Sequence, residues 1–368
     1  MIAEKNANFD TTNIAIKLNG RRYSFWKSAV VHVAVGEFAR EVTLNVSDNS
    51  AAMSAAGELL MDSAISVICD DKTVLTGYID EVSVNYTATT HSITIRARSK
   101  TCDLVDCSYD GDAQFNGESA RNTIRAICRP FGINVLWRCP DWTIGEYNAN
   151  VGDTCAGIIT EICKRGGVFY TDDENGNLII TNLAEKPAAA TIYNRPSAME
   201  SNVLSATAKF SSRDRFSEYT VESQDFAWDD DDTAEYAYMA GGTVRDPGVK
   251  RHRPKIVIAQ TNQDSEADTF SARLEYMSAT AAAADFDYKI NGWRDDTGAI
   301  WAGGTFVNLI DEFAHVDNKL IVKSADLTIS NDGGRTTQLK LVYPNALIKN
   351  YEPKKHNRDP WYYNGREV

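Results

Sequence analysis

Two stretches of this 368-residue chain, one toward each end, carry the same pattern, and that repetition constrains the fold more than any other feature. In residues 325–343, Ala325, Leu327 and Ile329 alternate with Asp326, Thr328 and Ser330. After a polar turn at 331–334, Leu339, Leu341 and Tyr343 alternate with Gln338, Lys340 and Val342. Successive side chains on a strand point to opposite faces, so a period of two predicts an antiparallel hairpin with one buried and one mostly wetted side. The earlier stretch does the same. Val82, Val84 and Tyr86 alternate with Ser83 and Asn85, and beyond a turn at 87–91, Ile93, Ile95 and Ala97 alternate with Thr94, Arg96 and Arg98. Each hairpin follows a short apolar strand that closes on an aspartate, residues 65–70 in one case and 306–311 in the other. One barrel-building unit is therefore expected twice, with its loops free to differ.

The rest of the chain sorts around these two units. Residues 13–23 predict a hairpin about Asn19-Gly20, whose tolerance of positive φ suits a tight turn. With strands near 29–35 and 41–46 they complete a first antiparallel barrel over residues 1–100. Residues 101–200 change character and read as a small α+β insert. Ala120, Ile124, Ile127 and Cys128 sit at helical spacing until Pro130 stops the helix. A strand in FGINVLW follows, then a second helix with Asp153 as N-cap, Ile158, Ile159 and Ile162 on one face, and Gly166-Gly167 at its end. A hairpin turning at Asn175-Gly176 closes the insert. From Val203 the alternation returns, with Phe216, Tyr219 and Val221 on strands, an acidic aromatic loop at 226–242 and a strand at 255–259. A helix from Asp264 or Ser265 carries Ala267, Phe270, Leu274, Met277 and Ala281 as an apolar stripe for packing on a sheet. The second barrel domain spans 201–345, and 346–368 is a polar tail. The expected fold class is mainly β with an α+β insert: two similar antiparallel β-barrel domains plus a small α+β domain.

Composition narrows the function. Apolar residues at 43% and charged ones at 24% suit a globular protein with a buried core. No apolar run approaches the ~18 residues of a membrane helix, and the opening MIAEKNANFDTTN has no hydrophobic signal core, so neither a membrane-spanning nor a Sec-exported protein is expected. The net charge of −13 argues against a nucleic-acid reader, which needs a basic patch, though not against nucleic acid passing without sticking. Seven cysteines, with no CxxC, read as buried free thiols.

The common catalytic layouts are missing. There is no GxGxxG and no phosphate loop to cradle a nucleotide, no HExxH, and no GxSxG. The five histidines, His32, His91, His252, His315 and His356, have no metal spacing. Cys155 lacks the glycine two residues earlier that a strained nucleophile elbow needs, and reads as a helix residue. The turn at 172–177 fails as a calcium loop, because Thr171 and Asn182 fall where the first aspartate and the bidentate glutamate belong. Residues 229–232, four adjacent aspartates, read as a solvated loop. No catalytic, cofactor-binding or metal-binding residue is assigned, and no cofactor is expected.

Four stretches in order, SKTCDLVDCS (99–108), GDTCAGIITEICKRGGVFYTDDENGNLIITN (152–182), SSRDRFSEYTVESQ (211–224) and INGWRDDTGAIWAGGTFVNLID (290–311), resemble the central baseplate hub proteins of Mu-like contractile-tailed bacteriophages. More distant likenesses are the hub portions of other phage tails and of type VI secretion spikes. The resemblance implies a structural, non-enzymatic protein of the virion tail baseplate, assembled in the host bacterial cytoplasm. It implies a homotrimer with an axial channel, placed between the tail spike protein and the tail tube protein, with baseplate wedge and tape-measure proteins as further partners. DNA would pass transiently, without sequence-specific binding. Two like barrels in each of three subunits would present six similar units, matching a three-fold spike to a six-fold tube. Trp228, Tyr236, Tyr238, Trp361, Tyr362 and Tyr363 are the candidate interface aromatics. The last three are expected to dock on a neighbouring chain or to order only when the spike or tube binds. Competing readings are a tail-associated peptidoglycan hydrolase with the insert as cell-wall module, and a carbohydrate- or receptor-binding module using the same aromatics.

Overall fold

The computed structural model describes residues 14–18, 21–24, 26–46, 61–69, 71–88, 91–182, 187–226, 236–239, 241–258, 265–330 and 333–347. It begins with seven strands: β1 (Ile14–Leu18), β2 (Arg21–Tyr23), β3 (Trp26–Ala34), β4 (Glu41–Val46), β5 (Ala64–Cys69), β6 (Lys72–Tyr86) and β7 (His91–Ser99). Leu18 pairs with Arg21, which is the expected two-residue hairpin; Asn19 and Gly20 themselves lie outside the described residues. Hydrogen-bonded order runs β3-β4-β7-β6-β5-β1-β2.

The insert follows. It comprises α1 (Cys102–Asp106), β8 (Gln114–Phe115), α2 (Ala120–Cys128), β9 (Val135–Arg138), β10 (Tyr147–Asn148), α3 (Cys155–Gly166), β11 (Phe169–Asp172) and β12 (Leu178–Thr181). Both expected helices form, and their apolar faces share one core with Leu178 and Ile180 of β12. The cap of α3 is Thr154 rather than Asp153. The N–H of Gly157 donates to Thr154 Oγ1 at 3.1 Å, while the Asp153 carboxylate turns back to accept from the N–H of Asn150 at 2.8 Å. The β11–β12 hairpin turns through Gly176 at φ 75° and packs on the first strand module. A Cβ on Gly176 would come within 2.9 Å of the Thr76 carbonyl, so the close approach requires glycine. Arg40 fastens the same contact, donating from Nε to Asp172 Oδ1 at 3.0 Å and from Nη1 to the Val74 carbonyl at 3.0 Å.

Next come β13 (Ala190–Arg195), β14 (Glu200–Ser201) and β15 (Val203–Phe210). A separate compact unit then contains β16 (Glu218–Phe226), β17 (Tyr236–Met239), β18 (Thr243–Arg245), β19 (Pro254–Ile258) and α4 (Ser265–Ala282). The helix appears where expected, but its sheet-facing side differs. Asp268, Ala272, Ser278 and Ala281 are the buried positions, and Leu274 and Met277 are only half-buried; the surroundings of Ala267 and Phe270 lie outside the described residues. The cause is distance. A Cβ on Gly242 would lie 2.0 Å from the Thr269 backbone, so helix and strand-bearing segment approach too closely for large side chains between them.

The chain ends its described part with β20 (Ala284–Asn291), β21 (Phe306–Asp311), β22 (Val316–Ser330) and β23 (Gly334–Val342). Together with β13–β15 they extend the first module's sheet to fourteen strands, because β22 pairs with β3. The architecture is mainly β, as expected. Among the described residues the ladders trace an open path, from β14 through β22 to β2 with a branch through β23 and β20 to β15, and no closed barrel is present.

Strands β5–β7 and β21–β23 share a pattern of register. β6 and β22 are both fifteen residues long. The first half of each pairs antiparallel with the preceding short strand, β5 or β21, and the second half with the following one, β7 or β23. Both ladders slip at the same place, between Ile79 and Glu81 in one unit and between Val322 and Ser324 in the other. A bulge there bends a long strand so that it can serve two partners.

Candidate functional site

For a chain without catalytic motifs, the places where strand edges meet or fail to meet are the first candidates. One such joint is made within the chain. β3 runs antiparallel to the second half of β22, with Val33 opposite Ala325, Val31 opposite Leu327 and Ala29 opposite Ile329. Apart from the half-buried Ile329, these side chains are buried. On the other face of the joint His32 lies opposite Asp326. Its Nδ1 is 2.5 Å from Asp326 Oδ1 and its Nε2 is 3.2 Å from Glu37 Oε2. The hydrogen bond to Asp326, then that to Glu37, push the imidazole up to about 10 against the opposing effect of burial. Held between two carboxylates, the ring is an imidazolium at neutral pH and both its N–H groups donate.

The corresponding edges elsewhere have no strand beside them among the described residues. The second half of β6, from about Asp80 to Tyr86, pairs with β7 on one side only, and β15 pairs only with β20. Large apolar side chains on them are exposed: Val84 by 55%, Tyr86 by 77%, Leu204 by 58% and Phe210 by 59%. The alternation in 82–86 predicts a buried face, yet on this chain alone Val82 is half-buried and Val84 and Tyr86 are exposed. Ile93, Ile95 and Ala97 of β7 are buried as expected.

The titratable groups inside the fold do structural work. Burial pushes the Cys102 and Cys128 thiols up to about 12, and also raises those of Cys155 and Cys163, which disfavours the thiolate a nucleophile needs. All seven cysteines are free thiols. Tyr288 donates to Asp311 at 2.7 Å, and Asp311 also accepts from Asn194 at 3.2 Å; burial and that bond raise the tyrosine. No group of three or more metal-ligating side chains occurs among the described residues. Of the six candidate interface aromatics, Tyr236 and Tyr238 sit on β17, opposite Phe226 and Gln224 of β16. Trp228, Trp361, Tyr362 and Tyr363 lie outside the described residues, as do the aspartates at 229–232.

Residues 13–99, the first strand module, match the family described as "Mu phage baseplate assembly protein GpP-like, N-terminal", and residues 101–182, the insert, match "Baseplate hub protein gp44-like, second domain". By these matches the chain is similar, over its first half, to baseplate hub and baseplate assembly proteins of Mu-like bacteriophage tails. One relative is the baseplate hub protein gp44 of Escherichia phage Mu, 24% identical over 362 residues, which cover 95% of this chain and 92% of gp44. Among solved structures, the 43 kDa tail protein of prophage MuSo2 from Shewanella oneidensis superposes with a TM-score of 0.77 at 25% identity, over 91% of this chain and 99% of that one. At the level of fold alone, a type VI secretion component of E. coli, described as structurally similar to T4 tail proteins gp27 and gp5, superposes with a TM-score of 0.54 at 10% identity, over 92% and 79% of the two chains.

Proposed function

We propose that this protein is the central hub of a contractile-tail baseplate: three copies form a ring with an axial channel, seated between a three-fold spike and a six-fold tail tube. The observation that carries the reading is the repeated strand unit with its matched bulge, running in one continuous sheet through the β22–β3 joint. Each chain then supplies two near-equivalent positions, and three chains supply six, so closed rotational symmetry removes the mismatch between spike and tube. In this reading the module at 1–100 and that at 201–345 act as barrel-like halves of the ring, and the insert at 101–200 is an appendage to the first. Baseplate wedge and tape-measure proteins are further contacts, and assembly takes place in the host cytoplasm. DNA passes through a channel whose wall is acidic or neutral, in keeping with the net charge of −13; a basic lining would hold the polyanion by counterion release.

Mass photometry of the purified protein, alone and with its spike and tube partners, tests the stoichiometry. A species at three times the 40.7 kDa chain mass is expected, and a stable dimer or tetramer would rule the ring out. Zymography on bacterial cell walls addresses the hydrolase alternative. No lysis band is expected.

A further inference from the structure

The internal joint is a template for a joint between copies. Resting on the hub reading above, we infer that β15 of one copy pairs antiparallel with the second half of β6 of the next, in the register that β3 makes with β22 inside one chain. The equivalences follow from the ladders. Val84 lies two residues beyond Val82 on the strand that pairs Val82 with Ile95; Leu327 lies two beyond Ala325, which pairs with Leu339. In the next layer Leu44 faces Ile95 and Tyr288 faces Leu339, so β4 corresponds to β20, with Val42 matching Phe286. Beyond β4 comes β3, with Val31 opposite Val42; beyond β20 comes β15. The N–H of Ser211, just past the end of β15, donates to the carbonyl of Ala283, just before β20, at 2.7 Å. The end of one strand thus meets the beginning of the other, which makes the pair antiparallel and sets Ala208 across from Phe286. Ala208 is then the counterpart of Val31, and Val84 the counterpart of Leu327.

Carried over, the pairing Val31–Leu327 becomes Ala208 of one copy opposite Val84 of the next. Phe210 falls opposite Val82, and Ala206 opposite Tyr86. Apolar meets apolar at every step, and the polar row follows: Lys209 opposite Ser83 and Thr207 opposite Asn85. A register shifted by one residue would set Leu204, Ala206, Ala208 and Phe210 against the polar face of β6, so the match is not a property of any two strands. The joint covers the exposed Val84, Tyr86 and Phe210, sets Leu204 opposite Ala88 just past the end of β6, and removes two open sheet edges. It is heterologous, edge to opposite edge, and such a contact makes a ring when the rotation between successive copies closes. The partner is a second copy of this chain and the mode is strand addition.

Cysteine cross-linking of the full chain tests the register. Under mild oxidation the double variant Val84→Cys/Ala208→Cys should form a covalent closed trimer on a denaturing gel. An equimolar mixture of the two single variants should yield a covalent two-chain product as its largest species, and the wild type, whose own cysteines are the control, neither. Hydrogen exchange of the assembled wild type should show the amides of 80–86 and 203–209 slowed relative to the dilute chain. Trimers by mass photometry with no Val84–Ala208 bond and no slowing overturn this joint while leaving the hub reading intact. A chain that stays single at every attainable concentration, with spike and tube partners present, overturns both.

Discussion

Replacing Arg40 with methionine gives the sharpest test of how the insert is held. The guanidinium donates to Asp172 Oδ1 at 3.0 Å, to the Asp172 carbonyl at 2.9 Å and to the Val74 carbonyl at 3.0 Å. The Asp172 side chain is 2% exposed and that of Arg40 12%. Burial already raises the Asp172 carboxyl despite the opposing pull of Arg40. Without the guanidinium the carboxylate either stays charged and buried, at a loss of about 3–5 kcal/mol, or takes up a proton. Protonation caps the loss. From an ordinary value of 3.8, holding the proton costs about 4 kcal/mol at pH 7 and about 1.5 kcal/mol at pH 5, at ~1.36 kcal/mol per pH unit. A carboxyl with a raised folded value is a burden that grows as pH climbs above the unfolded value and vanishes below it. The Arg40→Met variant should therefore lose up to about 4 kcal/mol at pH 7 and distinctly less at pH 5, and Arg40→Met/Asp172→Leu should recover most of the difference. Urea unfolding followed by tryptophan fluorescence reports on the insert through Trp137 and Trp142, whose rings lie 5.2 Å apart. A loss below about 1 kcal/mol, or one equal at both pH values, would refute the reasoning.

The other predictions concern the two joints. For His32 the folded value of about 10 lies above the ordinary 6.5, so its contribution is complete below pH 6.5 and is lost as pH rises through 10. Its side chain is 30% exposed, which screens the effect to about 1 kcal/mol. Wild type and His32→Gln should thus differ in acid and converge in alkali when thermal stability is followed against pH; a difference independent of pH would contradict this. Leu327→Ala, in the buried intrachain joint, should cost about 2–5 kcal/mol in chemical denaturation of the single chain. Val84→Asp, on the open edge, should change single-chain stability by about 0.5 kcal/mol or less yet weaken self-association in sedimentation; equal effects of the two variants would deny that the edges differ in role.

Alternation of apolar and polar side chains was enough to find β7, β22 and β23, and the capping and turn residues located α2, α3 and the Asn175-Gly176 hairpin, because those signals are local. What lay beyond the sequence was set by distance between elements. On α4 the apolar stripe pointed to Leu274 and Met277, but close approach chose Ala272 and Ser278. The cap of α3 moved by one residue because Asp153 found a nearer donor in Asn150. The open edges were half legible. Val82, Val84 and Tyr86 signalled a face that must be covered, and only the topology shows that β3 reaches β22, leaving β6 without a counterpart among the described strands of its own chain. The large aromatics Trp228 and Trp361 stand out by residue type, whereas the exposed edge residues are a valine, a tyrosine, a leucine and a phenylalanine inside ordinary strands.

End-on electron micrographs of the assembled protein test the central claim most directly, through the rotational power of the class averages. Two near-equivalent modules per chain in a closed ring predict a hollow disc whose strongest inner harmonic is six-fold, modulated by three-fold features farther out where the inserts break the equivalence. A purely three-fold inner ring, a two-fold particle or a disc without a central hole would contradict it.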